Sequence, residues 1–120
     1  MTDYQLDQEA ITILRSNEWG GYTLPALGLY PYQWNWDSMF VALGYSEFDI
    51  NRAWKEVITL FEGQWSNGMA AHIVFRRDEP SYFPGPKIWG TGHYPPTSGC
   101  SQPPVAATVV RDLYEADTKN

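Results

Sequence analysis

Ile50, Ala53, Trp54, Val57, Ile58 and Phe61 recur at i, i+3, i+4, i+7 and onward toward Gly63, and no other feature constrains the fold of this chain more. The stripe predicts a helix that buries one face on a neighbour. Ser46, with Asp49 three residues later, resembles a capping box that opens this helix, its carboxylate one methylene shorter than the usual Glu. Upstream, Leu6, Ala10, Ile11, Ile13 and Leu14 predict an amphipathic helix over about 4–16, with Asp3 as its N-cap and Gly20-Gly21 as its breaker. Asp37 to about Gly44 reads as a short buried helix, because its apolar run is almost uninterrupted and Gly44 suits a C-terminal cap. A fourth helix begins after Ser101, with Pro103 and Pro104 in its first turn and Val105, Val109, Val110 and Leu113 as its stripe. The polar tail 115–120 follows it.

These elements are expected to be joined by long loops rather than strands, although Ala70 to Phe75 reads as extended. From about 63 to 100 the chain is rich in Gly, Pro and rings, with turn signals at Tyr82-Phe-Pro-Gly-Pro86 and Tyr94-Pro-Pro-Thr-Ser-Gly99. A structureless stretch beyond about 12–15 residues in a compact domain is usually functional or disordered, and disorder disfavours so many rings.

Charge narrows the classes of partner. The net charge is −6 and Arg76-Arg77 is the only adjacent basic pair, which disfavours nucleic acid and anionic membranes. No apolar stretch approaches the roughly 20 residues of a membrane span, and the N-terminus lacks a signal peptide's basic and apolar regions. A soluble, cytoplasmic chain is expected. Cys100 is the single cysteine, which accords with a reducing compartment. With the two histidines it shows no metal spacing, and neither a metal nor a cofactor is expected.

The chemistry concentrates in Tyr30-Pro-Tyr-Gln-Trp-Asn-Trp-Asp37, four rings, two amides and a carboxylate within eight residues. A sugar offers apolar C–H faces for stacking and hydroxyl edges for paired hydrogen bonds, so flat rings beside Asp, Asn or Gln match it. Rings make up 16% of the chain while charged residues supply 18%, below the roughly 25% of ordinary soluble domains. One small core does not hide that many rings. By itself, Asp37 ahead of an apolar helix is better explained as a favourable charge at a helix N-terminus; the flanking rings shift the balance toward a ligand group.

Four motifs in order, Tyr30-x-Tyr-Gln-Trp-Asn-Trp-Asp37, Gly63-Gln-Trp-Ser-Asn-Gly-Met69 with His72-Ile-Val-Phe75, Tyr82-Phe-Pro-Gly-Pro86, and Ser101-Gln-Pro-Pro104, resemble the opening of the mannosylglycerate and glucosylglycerate hydrolases. These are (α/α)6-barrel glycosidases related to the mannosyl-oligosaccharide glucosidases and, more distantly, to trehalases. The resemblance covers roughly residues 20 to 115. It implies an all-α fold, part of an (α/α)6 toroid of which residues 1–120 form an N-terminal portion with about four helices. A twelve-helix barrel at roughly 10–14 residues per helix needs several hundred residues.

The same resemblance implies substrate-binding roles for Tyr30, Trp34, Trp36, Asp37, Tyr82 and Gln102, with no catalytic residue in this chain. The acid and base carboxylates of such enzymes lie beyond residue 120. The expected partner is a small glycoside or an oligosaccharide with an α-linked glucose or mannose, hydrolysed with inversion. The apolar helix faces would be covered by a complementary chain or by self-association. The competing class is a non-catalytic carbohydrate-binding or protein-interaction module built on the same rings.

The remaining candidates have plainer readings. Trp54 and Phe61 lie on an amphipathic helix and belong to the core, while Trp65 and Trp89 stay open between packing and substrate contact. His72, between two alanines and an apolar triplet, reads as a structural histidine. Arg76-Arg77-Asp78-Glu79 reads as a solvated turn, with the alternative that an arginine there pairs with a substrate carboxylate.

Overall fold

The computed structural model describes residues 1–119. Helix α1 spans Asp3–Ser16, strand β1 Gln33–Trp34, α2 Asn35–Ser46, α3 Ile50–Phe61, β2 Ile73–Val74, α4 Pro86–Trp89 and α5 Ala106–Thr118. The fold is helical, as expected, with a fifth and very short helix that the Gly- and Pro-rich stretch concealed. The expectation of loops without strands is corrected: β1 and β2 pair antiparallel, Gln33 opposite Val74 and Trp34 opposite Ile73. Strand β2 lies inside the segment read as extended, and the pairing ties the ring-rich motif to the long loop.

Local chemistry sets most helix ends. Thr2, not Asp3, caps α1: its hydroxyl accepts from the Gln5 amide while the Gln5 side chain accepts from the Thr2 amide, a reciprocal box that leaves Asp3 in the first turn. Asp49, likewise, is itself the N-cap of α3, accepting from the Arg52 amide at 3.1 Å. Ser46 instead ends α2, its hydroxyl donating to the Leu43 carbonyl at 2.6 Å. The expected Ser46–Asp49 box therefore does not form, because the chain needs three residues to turn from α2 into α3.

Helix α2 begins two residues before Asp37 and passes through Gly44, which is no terminal cap. A Cβ at Gly44 would stand 3.2 Å from Leu14 Cδ1, so the missing side chain is what lets α1 lie against α2. Pro103 and Pro104 precede α5 rather than occupying its first turn, since Val105 is the N-cap. Helix α5 continues through most of the polar tail to Thr118, and Asn120 of that tail lies outside the described residues.

The core forms where α2, α3 and α5 meet. Met39, Ala42 and Tyr45 from α2, Ala53, Val57 and Leu60 from α3, and Val109 and Leu113 from α5 are buried together, with Val74 of β2 beneath them. Gly63 permits that last contact, because a Cβ there would meet Val74 Cγ2 at 3.0 Å. A second cluster of Tyr32, Trp34, Ile73 and Phe75 joins β1 to β2, with Tyr82 and Trp89 against its edge. Helix α1 buries no residue completely.

The expected stripe of α3 faces the core at every position but Ile58, with Ala53 and Val57 buried and Ile50, Trp54 and Phe61 packed against the cluster, yet the centre of the buried side is rotated. Trp54 and Phe61 pack only at the margin of the core, Ile58 is 58% exposed, and the buried side carries Arg52 and Glu56 beside Ala53, Val57 and Leu60. Charged residues on that face hid it from a pattern of apolar spacing. The radius of gyration is 14.9 Å, against about 13.6 Å expected for a compact domain of this length, and Tyr4, Leu6, Ile13, Phe40 and Tyr114 remain exposed.

The rotation has a measurable consequence. Leu60→Ala should lower the unfolding free energy by about 2–5 kcal/mol, whereas Ile58→Ala should change it by less than about 0.5 kcal/mol. Urea denaturation followed by circular dichroism separates the two, and equal losses would restore the expected stripe.

Candidate functional site

The start of α2 is a poorly self-sufficient helix end. Its N-cap, Trp34, supplies no side-chain acceptor, yet the first turn's amides need partners. Gln102 answers from a distant loop: its Oε1 accepts from the Trp36 amide at 3.0 Å. Since an N–H donates only to an acceptor, the orientation of the Gln102 amide follows, and its Nε2 is the group left to donate elsewhere. Asn35 is held from the other side, donating its own amide to the His72 carbonyl at 3.0 Å and its Nδ2 to the carbonyls of Ala70 and Ala71.

Around this helix end Pro25, Tyr30, Trp34, Trp36, Asp37 and Gln102 line a cavity of about 270 Å³. Five of the six residues expected to bind substrate therefore converge. Tyr82, the sixth, does not line the cavity but stands behind it, its ring 5.5 Å edge-on to Trp34 and 5.4 Å edge-on to Tyr32. Tyr30 meets Trp34 edge-on from another side at 5.3 Å. Trp34, 7% exposed, is thus wedged among three tyrosines, while Trp36, 39% exposed, opens to the cavity and touches Phe40 one turn along α2. The two tryptophans divide their labour as an extended residue followed by a helical one should.

Asp37 is the carboxylate of the cavity. Burial pushes its carboxyl above the ordinary range; its own backbone amide and the Trp36 side chain act against that push. Tyr82 is also pushed up, first by burial and then by Tyr30, and keeps its phenolic proton at neutral pH. The cavity therefore offers ring faces, a carboxylate acceptor and an amide donor. That set suits adjacent hydroxyls on a ring with apolar faces.

Pro25 gives no sign of its place in the sequence, where it reads as one more turn residue; nothing in its neighbourhood signals that it shares a cavity with Asp37. The basic pair is corrected more sharply. Arg76 is no solvated turn residue: its guanidinium donates to Gln33 Oε1 at 3.0 and 3.2 Å and to the Thr59 carbonyl. Arg77 donates to the Pro31 carbonyl at 3.1 Å and lies over the Trp19 ring at 4.3 Å. Both line a different, open cleft with Glu62 and Tyr94, away from Asp37.

Trp65 and Trp89 also stay out of the cavity. Trp65 donates to Thr97 Oγ1 and stacks on His93, and Trp89 packs edge-on against His72. His72 takes the structural place expected of it, with burial lowering its basicity and Cys100 Sγ 3.4 Å from its Nδ1. Among the described residues, no helix is long and apolar enough to cross a membrane.

Rings around one carboxylate and one amide, mounted on packed helices, make a wall of apolar faces beside hydroxyl-matching groups. The chain belongs to the mannosylglycerate hydrolase MGH1-like glycoside hydrolase domain family, whose profile matches residues 30–120. It is 54% identical over 112 residues to the mannosylglycerate hydrolase of Thermus thermophilus, covering 91% of this chain and 27% of that enzyme. It is 42% identical over 121 residues to the glucosylglycerate hydrolase of Mycolicibacterium hassiacum, covering 95% of this chain and 27% of that protein.

A crystal structure of a GH63 mannosylglycerate hydrolase from Thermus thermophilus, in complex with Tris and D-glycerate, superposes with a TM-score of 0.86 at 54% identity, covering 92% of this chain and 26% of that one. The chain thus spans about a quarter of the length of these relatives.

The Asp37 environment yields a signed pH effect. A carboxyl raised by folding makes its ionised form costly to the folded state; the cost is absent below the ordinary value of 3.8 and complete above the folded value. Asp37→Asn should therefore raise the melting temperature at pH 7 and leave it unchanged near pH 3. Thermal melts across that range would contradict the account if the variant lost stability at neutral pH.

Proposed function

We propose that this chain supplies the sugar-holding wall of an inverting glycoside hydrolase, which cleaves an α-linked mannose or glucose from a small acceptor such as glycerate. Residues 1–120 are read as the N-terminal portion of a single (α/α)6 catalytic domain. The exposed apolar residues on α1, α2 and α5 support this reading, as does the share of its relatives that the chain spans. A longer polypeptide or a complementary chain would then cover those faces.

The observation that carries the reading is the convergence of Tyr30, Trp34, Trp36, Asp37 and Gln102 on one small cavity. Ligand pockets commonly run from roughly 300 to 1,000 Å³, so a cavity of about 270 Å³ suits one monosaccharide ring rather than a chain of them. In this assignment Trp36 stacks on the sugar, and Asp37 accepts from two neighbouring hydroxyls. Gln102 Nε2 donates to a hydroxyl oxygen. Tyr82 and Trp34 keep the stacking surface rigid.

Such contacts assist hydrolysis without moving a proton, because hydrogen bonds to sugar hydroxyls strengthen as the ring flattens toward an oxocarbenium ion. Inversion needs two further carboxyl groups about 6.5–9.5 Å apart, with a water between one of them and the sugar. Asp37 is the one carboxyl lining the cavity among the described residues. The acid and base are therefore assigned to the part of the enzyme beyond this wall, and the alternative of a self-sufficient binding module loses ground to the exposed helix faces.

The purified chain should show no hydrolysis of mannosylglycerate or glucosylglycerate, while millimolar mannose or glucose should shift the indole NMR signals of Trp34 and Trp36. Asp37→Ala should abolish those shifts. Turnover by the chain alone would overturn the assignment of the acid and base, and unshifted indoles at saturating sugar would overturn the site.

A further inference from the structure

Glu56 sits on α3, does not line the cavity, and is completely buried. Its carboxylate takes four hydrogen bonds. Oε1 accepts from the Thr23 amide at 3.0 Å and from Ser38 Oγ at 2.7 Å; Oε2 accepts from Thr23 Oγ1 and from Arg52 Nη2, each at 2.9 Å. The backbone carbonyl of Glu56 accepts a longer bond of 3.4 Å from Gln33 Nε2, which also donates to Ser38 Oγ at 3.1 Å.

The places of these partners in the chain are informative. Thr23 precedes the cavity-lining Pro25 by two residues, Gln33 immediately precedes Trp34, and Ser38 immediately follows Asp37. A carboxylate that served only to neutralise Arg52 would need none of these three. Arg52 itself has other company, with Glu18 Oε1 at 3.1 Å and the Tyr45 ring 4.7 Å beneath its guanidinium.

We infer that Glu56 is a positioning residue for the sugar cavity: one buried carboxylate, with Gln33 as its extension, fixes the three separate segments that carry Pro25, Trp34 and Asp37. It touches no substrate. It holds the Trp34 ring that braces the stacking surface, the Asp37 acceptor and the Pro25 rim in mutual register, so that the cavity exists before a sugar arrives. A charged acceptor suits this task, since bonds to an ionised group are shorter and about twice as strong as neutral ones and fan out from two oxygens. Preset geometry matters for a sugar site because misplacement by about 1 Å costs as much as a hundredfold in rate.

The inference rests on the cavity being the sugar site, and its test has a readout independent of that. Glu56→Gln should keep its helical circular dichroism below its melting temperature while the Asp37 carboxyl, followed by carbon-13 NMR, titrates closer to the ordinary carboxylate value. Mannose affinity should fall about tenfold or more. Ser38→Ala changes no charge and should move Asp37 in the same direction by less; Thr23→Val should loosen the Pro25 rim, seen as shifted Trp36 indole signals.

Leu113→Val, a destabilising core change on α5, should leave the Asp37 titration where it is. Should Glu56→Gln fail to fold, the Ser38 and Thr23 variants decide. Folded variants with an unmoved Asp37 titration, unshifted Trp36 signals and unaltered sugar affinity would overturn the inference. Absence of mannose binding by the unaltered chain would count against the site's assignment and leave the Asp37 readout of Glu56 intact.

Discussion

The buried carboxylate of Glu56, with Arg52 one turn earlier on the same helix, is the interaction on which the rest of this structure depends. Taking a charge out of water is costly, and the cost is offset only where every lone pair is matched. Here four donors meet the two oxygens. Because they come from the loop ahead of α2, from α2 itself and from α3, satisfying one charge assembles three parts of the chain. An apolar core between α2, α3 and α5 would hold those helices together without specifying how the loop at residues 18–25 lies across them. In general, removing one member of such a buried pair costs about 3–5 kcal/mol, far more than any surface ion pair in this chain, such as Arg111 with Asp112, contributes.

A second constraint is the incomplete start of α2. A helix whose N-cap is tryptophan leaves amides unmatched, and the fold meets that need with Gln102, brought from 66 residues away. The same region gathers the rings and the carboxylate. Structural completion of a helix end and construction of the cavity are thus a single act: the side-chain amide that caps the helix also lines the cavity. Coupling of this kind, together with the small cluster of Ile73 and Phe75 against Tyr32 and Trp34, explains why a long, Gly- and Pro-rich loop is ordered. Its residues are pinned where they cross β1 and where they reach α2.

Much of this is legible in the residues. The family resemblance carried by Tyr30 to Asp37 and the later motifs names six contact residues, and five of the six line one cavity. The helices 3–16, 50–61 and the one after Ser101 follow from spacing to within a few residues. What escapes is polar and long-range. Arg76 reads as solvated because two adjacent arginines usually are, yet its guanidinium completes Gln33. Ile58 reads as buried because it is apolar and correctly spaced, yet the buried side of α3 belongs to Arg52 and Glu56. Gly44 looks like a stop, yet it is a contact surface for Leu14.

The division has a physical basis. Helix periodicity, capping side chains and ring density act between residues a few positions apart, so the sequence alone determined the helical class of the fold, most of its elements and the place where its rings concentrate. Which side of α3 is buried, which amide caps α2, that Pro25 shares a cavity with Asp37, and that Trp34 is wedged while Trp36 stays open were decided only in the tertiary structure. Those outcomes depend on matching buried charges and amides with partners tens of residues distant, because each bond a buried polar group loses from water costs free energy that bonds within the assembly must offset.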